Sequence, residues 1–172
     1  DNAELGRKIL LGEREDPRLR RALRDGRLRR FLVSAFQSEI FNRVLAKRLE
    51  DGSWDTPLLG DVLQRLPAGR PFLCSDPEAD APRVASFECS ITGPLPGGRM
   101  HPVPEGEAAR LEAEVLAASG VSEEALLRSR DAPGGRRPLR LFVRPQASLV
   151  EEGAWLDFEL PPGAYATVLL RE

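Results

Sequence analysis

The sequence predicts an α/β protein of the mixed α+β kind, in which helices pack on a mixed sheet. Residues 27–49 carry apolar side chains at helical spacing over a long segment. Several short apolar runs bounded by Gly and Pro predict strands between further helices. Apolar residues make up 41% of the 172-residue chain, which is enough for a packed core.

The first 30 residues predict two short helices. Asn2 is a suitable cap for a helix that runs to Leu11, and Gly12 marks its end. A second helix is expected to begin at Asp16, with Pro17 at its first helical position.

The long helix predicted over residues 27–49 should bury a broad face, because apolar side chains recur along it every three or four residues. These side chains are Phe31, Val33, Phe36, Ile40, Phe41, Val44, Leu45 and Leu49. Ser34, Ser38 and Asn42 stand four residues apart and form a polar stripe along one edge. We interpret this stripe as structural.

The middle of the chain predicts strands joined by turns. Residues 58–66 and 71–74 are expected to form two strands linked by a Pro-Ala-Gly turn, and residues 84–92 a third. Residues 76–83 are polar and contain two prolines, which predicts a surface loop. Residues 93–104 are expected to be irregular.

The remaining residues predict helices and strands in alternation. Helices are expected over residues 105–118 and 123–128, the second capped by Ser122. Strands are predicted at residues 138–143, 149–150 and 154–160, where they complete the mixed sheet.

The charge of the chain is nearly balanced, with 25 Lys and Arg against 27 Asp and Glu. The net charge of −2 gives no overall attraction to nucleic acid, so an RNA-binding field has to come from local clusters. Residues 14–30 form one such cluster, with eight Arg against three acidic residues. A second set, ranked below the first, consists of Arg128, Arg130, Arg136, Arg137, Arg140 and Arg144.

The cysteine and apolar content predicts a reduced, cytoplasmic location. Cys74 and Cys89 are too few for a disulfide framework, and no N-terminal segment has the pattern of a secretion signal. No apolar run approaches the roughly 20 residues needed to cross a bilayer, so no membrane partner is expected.

The residue patterns predict neither a metal nor a cofactor. Cys74, Cys89 and His101 lack the paired short spacing of a zinc site. Residues 93–98 are rich in Gly, but their prolines remove the N–H groups that a phosphate-binding loop needs. A Ser-His-Asp hydrolase would need His101 as its base, and no serine lies in a Gly-x-Ser-x-Gly motif.

Three motifs, in this order along the chain, resemble the TruD family of tRNA pseudouridine synthases. They are Phe-Leu-Val-Ser-Ala-Phe-Gln-Ser-Glu-Ile-Phe-Asn at residues 31–42, Ile-Thr-Gly-Pro-Leu-Pro-Gly at residues 91–97 and Leu-Pro-Pro-Gly-Ala-Tyr-Ala-Thr at residues 160–167. The resemblance implies a catalytic domain interrupted by an inserted α/β domain. Residues 1–30 would then be a helical lead-in, residues 31–150 the insertion domain, and residues 151–172 the strand and helix that return to the catalytic domain.

The resemblance also implies that the parent protein isomerises a tRNA uridine to pseudouridine without metal or organic cofactor, and that this segment forms one wall of the tRNA-binding cleft. In the family an Asp acts at the ribose, and it lies in an N-terminal half that this chain does not match. We therefore assign no catalytic residue and expect this chain alone to be inactive. The aspartates considered, none in a similar motif, are Asp55, Asp61, Asp76, Asp80, Asp131 and Asp157.

The candidate RNA-binding residues are Arg20, Arg24, Arg27, Arg29 and Arg30. The alternative for these residues is a solvated helical face whose charges are paired with nearby acids. The family resemblance places Tyr165 and Thr167 near the active site. Gly163 offers the backbone freedom for a corner before the last helix.

A competing hypothesis is a stand-alone, non-catalytic module that binds RNA or another protein. Self-association through the C-terminal strand is a further expectation. Phe158, Leu160 and Leu169 would be exposed on a strand and helix that are separated from their catalytic sheet.

Overall fold

The computed structural model describes residues 1–151, 153–160, 164, 166 and 170. The chain divides into two compact units, Asp1–Arg140 and Leu141–Glu172. Helices and antiparallel sheets together confirm the predicted α/β fold class. Each helix among the described residues is too short or too polar to span a bilayer.

Three helices open the first unit: α1 (Asn2–Leu10), α2 (Leu19–Arg24) and α3 (Gly26–Glu50). Asp1, and not Asn2, caps α1, because its carboxylate accepts the N–H of Ala3 at 3.0 Å.

The helix α2 begins later than Asp16, where the sequence placed its start. Asp16 instead closes a turn before the helix: its carbonyl oxygen accepts the N–H of Leu19 at 2.9 Å. Its carboxylate accepts the N–H of Arg18, also at 2.9 Å.

The buried face of α3 differs from the prediction at its two ends. Phe31 is 57% exposed and Leu49 is 53% exposed, whereas the neighbouring side chains of Leu32 and Arg48 are buried. One residue corresponds to a rotation of about 100° around a helix axis, so a neighbour in sequence lies on a different face. The middle of the predicted apolar stripe is confirmed, from Val33 to Val44.

A four-stranded sheet packs beside α3. Its strands are β1 (Val62–Arg65), β2 (Pro71–Leu73), β3 (Cys89–Leu95) and β4 (Gly135–Pro138), in the order β2-β1-β3-β4. Every pairing in the described part is antiparallel, where the sequence analysis expected a mixed sheet.

The segment predicted as a surface loop at residues 76–83 is instead the helix α4 (Pro77–Ala85). Its carboxylate cap is Asp76, which accepts the N–H of Ala79 at 3.1 Å. Pro77 takes the first helical position, where a missing N–H costs nothing. The next strand, β3, therefore starts at Cys89 and extends to Leu95, into the segment predicted as irregular.

Two further helices, α5 (Gly106–Ala118) and α6 (Glu123–Arg128), cover the other side of α3. Ser122 caps α6 as predicted, since its hydroxyl oxygen accepts the N–H of Ala125 at 3.2 Å. The strand predicted at residues 138–143 is shifted, because β4 ends at Pro138.

The core of the first unit has two apolar clusters that share α3. One joins α3 to α5 and α6, and includes Phe36, Ile40 and Val115. The other joins Phe41 of α3 to the sheet and to α4, and includes Ile91. The helix α3 therefore connects the helical layer to the sheet.

The second unit contains β5 (Gln146–Val150) and β6 (Gly153–Asp157), which pair antiparallel in a two-stranded sheet of their own. The sequence predicted that these strands would complete the main sheet. Within the described part of the chain, they instead pair only with each other. Gly163, Tyr165 and Thr167 lie outside the described residues. The predicted domain boundaries at residues 30 and 150 are not those of the two compact units, and they stay predictions.

Candidate nucleic-acid interface

An open groove in the first unit is lined by segments far apart in sequence. The end of α1 and the loop after it form one side, and α6 with the loop after it forms the other. Four arginines line this groove, Arg14, Arg29, Arg128 and Arg130, and we call it the arginine groove. The carboxylates among its lining residues are those of Glu13 and Asp131, so positive charge predominates.

The backbone at the end of α1 brings Arg14 to the groove. Gly12 has a φ of +75°, a left-handed conformation that suits Gly, and it follows the last turn of the helix. The N–H of Glu13 donates to the carbonyl oxygen of Lys8 at 3.0 Å, which folds the chain back over the helix end. Arg14 is exposed immediately after this turn.

Arg29 crosses the arginine groove and binds Asp131. Its Nε donates to a carboxylate oxygen of Asp131, and this hydrogen bond raises the pKa of the Arg29 guanidinium. The N–H of Asp131 in turn donates to the hydroxyl oxygen of Ser129 at 3.3 Å. The pair therefore fixes the start of α3 against the loop that follows α6.

The other four predicted RNA-binding arginines are exposed, on α2 and on the first turns of α3. Arg20 lies one helical turn before Leu23, which lines the arginine groove. The structure thus places Arg29 in the groove itself and Arg20 next to it. Arg24, Arg27 and Arg30 are exposed on the same short stretch of helix.

Only part of the cluster at residues 14–30 is neutralised by acids. Lys8 and Arg18 both donate to Asp16, at 3.0 and 2.7 Å, and the hydrogen bond from Arg18 is the main cause that holds the pKa of Asp16 far below its usual range. Arg29 is paired as well. Within the described residues, ion pairs are absent from six arginines of the cluster: Arg14, Arg20, Arg21, Arg24, Arg27 and Arg30.

The second set of arginines divides between the groove and the core. Arg128 and Arg130 line the arginine groove, and Arg128 also pairs with the exposed Glu124. The side chain of Arg136 is only 2% exposed, and it binds both carboxylate oxygens of Glu112, at 2.9 and 2.7 Å.

Two more members of the second set, Arg137 and Arg140, do not line the groove. The guanidinium of Arg137 lies 5.1 Å from the ring centroid of Phe41, and that of Arg140 lies 4.5 Å from the ring centroid of Phe87. Arg144 belongs to the second compact unit. Their sequence spacing around the Gly134-Gly135 loop therefore did not indicate a shared surface.

Two of the three motifs that suggested a family are in direct contact. Gln37, in the first motif, donates its side-chain N–H to the carbonyl oxygen of Pro96, in the second, at 2.7 Å. A Cβ on Gly93 would lie 2.8 Å from the ring of Phe41, so the strand approaches the helix more closely than any larger residue allows. Gln37 was not among the predicted site residues, and its side chain is buried, at 6% exposure. No local sequence signal marks this contact, because Pro96 is 59 positions away.

The polar stripe on α3 is not buried against a neighbour. Ser34 and Asn42 are exposed, and Ser38 is half-buried. Gly163, and with it Tyr165 and Thr167, falls outside the described part of the chain.

Several aspartates of the first unit have structural partners. Asp61 is buried against Arg48, Asp80 pairs with Arg83, and Asp131 pairs with Arg29. Asp76 is the cap of α4. Among the described residues, no group of three or more His, Cys, Asp or Glu side chains is placed to hold a metal ion.

Comparisons with known proteins agree with the motifs. The family model described as tRNA pseudouridine synthase D (TruD) matches residues 11–172. The tRNA pseudouridine synthase D of Anaeromyxobacter sp. (strain Fw109-5) is 46% identical over an alignment of 172 positions that covers 99% of this chain and 49% of that protein. A protein of the same name from Thermus thermophilus is 42% identical over 146 residues, 84% of this chain and 40% of that one.

A solved structure is similar as well. The crystal structure of a TruD protein from Methanosarcina mazei matches 95% of this chain and 42% of its own, with a TM-score of 0.69 at 28% identity. The chain spans about half the length of the curated relatives it matches, or less. The family match over residues 11–172 and the 46% identity over 99% of the chain show that the chain belongs to the TruD family of tRNA pseudouridine synthases.

Proposed function

We propose that this chain is part of a tRNA pseudouridine synthase that acts in the cytoplasm and isomerises a uridine of tRNA to pseudouridine. The observation that carries the proposal is the family match over residues 11–172. We assign the nucleophilic Asp to the rest of the enzyme, and this is supported by the coverage of only 49% of the Anaeromyxobacter relative, which leaves half of that protein outside the match.

The reaction requires close contact with RNA. The bond between ribose C1′ and uracil N1 breaks, the base turns, and C1′ bonds to C5. The hydrogen of C5 leaves as a proton, and N1 takes up a proton in place of its lost bond to C1′. The target nucleotide has to leave its stack to reach the catalytic group, at a cost of a few kcal/mol. Contacts elsewhere on the tRNA offset this cost, and this segment supplies some of them as one wall of the cleft.

The arginine groove and its surroundings are the proposed contact surface for tRNA phosphates. Arg14 and Arg130 line the groove, and neither has a carboxylate partner in the described part of the chain. Four further arginines between residues 20 and 30 are exposed: Arg20, Arg24, Arg27 and Arg30. A guanidinium offers a fork of donors to phosphate oxygens, and each phosphate contact releases a counterion. Arg29 contributes by holding the groove together through Asp131.

The domain organisation is part of the same proposal. Residues 1–30 lead in from the catalytic domain, residues 31–150 form the insertion, and residues 151–172 return to the catalytic domain.

Self-association through the C-terminal strand is also part of the proposal. Strand β6 carries exposed apolar side chains, with Trp155 at 72% and Leu156 at 46% exposure, which supports self-association through this strand. A monomeric mass in sedimentation at high concentration would contradict that association.

Release of tritium from tRNA labelled at uridine C5 tests the activity. We expect no release by this chain alone. We expect release when it is mixed with the portion of the Anaeromyxobacter relative that lies outside the match. Full-length relative serves as the positive control.

Each other outcome has a distinct meaning. Release by the chain alone would show that one of its own aspartates is catalytic. No release by any mixture, with tRNA binding intact, would favour a non-catalytic RNA-binding module and contradict the proposal.

A further inference from the structure

The tip of the β1–β2 hairpin forms a second basic surface, which shares no residue with the arginine groove. A concave site at this tip is lined by Arg65, Gly69, Arg70, Pro71, Phe72 and Arg83, and we call it the hairpin patch.

The hairpin places Arg65 and Arg70 at one site. Strands β1 and β2 pair with Leu63 opposite Phe72, and the N–H of Gly69 donates to the carbonyl oxygen of Arg65 at 2.8 Å. A Cβ on Gly69 would lie 2.5 Å from the Cβ of Arg65, so the turn closes this tightly only with Gly. The turn thereby brings residues five apart in sequence to the same surface.

Phe72 is a fixed aromatic ring within the hairpin patch. It is half-buried and packs against the apolar cluster of the sheet. The guanidinium of Arg83 lies over the ring, 5.3 Å from its centroid. Arg83 is itself held by ion pairs with Asp80 and Glu88, so its charge is largely neutralised.

Arg65 and Arg70 differ from Arg83 in this respect. Both are exposed, and neither has an ion pair with any carboxylate in the described part of the chain. Two unpaired guanidinium groups next to a rigid ring are the combination by which proteins hold unpaired nucleic acid: phosphates bind the cations and a base stacks on the planar group.

We propose that the hairpin patch binds an unpaired segment of RNA, with its phosphates on Arg65 and Arg70 and a base stacked on the Phe72–Arg83 pair. The inference rests on the proposed function, because it takes RNA as the substrate. It adds a second point of contact, on the sheet side of the unit, and assigns it a preference for single-stranded nucleotides.

Fluorescence anisotropy tests the proposal with a labelled single-stranded RNA of about 12 nucleotides and a duplex of the same sequence. We expect Arg65→Ala with Arg70→Ala to lower the affinity for the single strand about tenfold, and to reduce the slope of log K against log salt by about 1.4. Duplex affinity should change by less than about twofold. Phe72→Leu, which preserves apolar packing, should weaken single-strand binding about fivefold at an unchanged salt slope.

The matched control is Arg43→Ala with Arg110→Ala, which removes the same charge from exposed positions on α3 and α5. It should leave single-strand affinity nearly unchanged. Arg65→Lys with Arg70→Lys should retain most of the binding, and circular dichroism should show that every variant is folded.

Three results would overturn the proposal. The Arg65/Arg70 double variant could bind the single strand as tightly as the control does, or it could lose affinity for single strand and duplex equally. An acidic peptide with the same net charge as the RNA could also displace the RNA from the hairpin patch. Arg14→Ala with Arg130→Ala separates this proposal from the proposed function. If that variant weakens tRNA binding while the hairpin variant does not, only the hairpin proposal fails. If the unaltered chain binds no RNA, both fail.

Discussion

Arg48 and Asp61 are the charged residues that the first unit buries most completely, at 0% and 1% exposure. The guanidinium binds both carboxylate oxygens and also donates to the carbonyl oxygen of Ser53 at 3.1 Å. The carboxylate accepts the N–H of Leu58 at 2.8 Å. The pair therefore connects the end of α3 to the loop that leads into β1.

We expect Arg48→Met to lower the free energy of unfolding by about 3–5 kcal/mol, because it leaves the Asp61 carboxylate buried without a cation. Urea denaturation measures this loss. The double variant Arg48→Met with Asp61→Asn should lose less, because Asn removes the buried charge and still accepts from Leu58. Equal losses in the single and double variants would show that the unpaired charge is not the cause.

The two cysteines provide a second test at the residue scale. Burial raises the pKa of the Cys74 thiol to about 12, and burial also raises the pKa of Cys89. Only the thiolate reacts readily with a disulfide reagent, so neither cysteine should be labelled in the folded protein at pH 8. Both should react once urea unfolds the chain. Fast labelling of either cysteine without denaturant would contradict the burial.

At the scale of elements, the sequence predicted correctly the helices that are determined by neighbouring residues. The helix α6 follows Ser122 because a hydroxyl cap acts within three residues, and α3 follows from the apolar period of its middle. The helix α4 was not predicted, because its prolines suggested a loop, although Pro77 is favourable at a helix start.

The arginine groove could be predicted only in part. Arg29 was selected from the charge cluster, whereas Arg128 and Arg130 were ranked low. These two residues reach the groove only because α6 packs on α3, about 100 positions away in sequence, as the Arg29–Asp131 pair shows. Such long-range packing has no signature in local charge spacing.

Arg14 and Arg130 line the arginine groove from two distant segments, and both are exposed. Removing these two side chains should therefore weaken RNA binding more than it lowers stability. We expect Arg14→Ala with Arg130→Ala to weaken tRNA binding and to lower the slope of log K against log salt by about 1.4–1.8, the value for two lost phosphate contacts. Anisotropy titrations over a salt series measure both quantities. Arg43→Ala with Arg110→Ala again serves as the control of equal charge. An unchanged slope would mean that the groove does not contact phosphates.

At the scale of the whole molecule, both apolar clusters lie within Asp1–Arg140. Residues Leu141–Glu172 form a unit of their own, and their strands carry exposed side chains along their length. We therefore expect the residues before Leu141 to supply the free energy of folding of the first unit.

A chain that ends at Arg140 should consequently unfold in one cooperative step, with a Tm within about 5 °C of the full chain. A chain that ends at Ala132 is the informative comparison, since it loses β4, Leu139 and Arg136. Without Arg136 the Glu112 carboxylate is buried with no cation, and β3 loses its neighbour in the sheet. Thermal circular dichroism should therefore show a broad or absent transition for the shorter chain. A non-cooperative transition for the chain ending at Arg140 would show that the second unit is needed to fold the first.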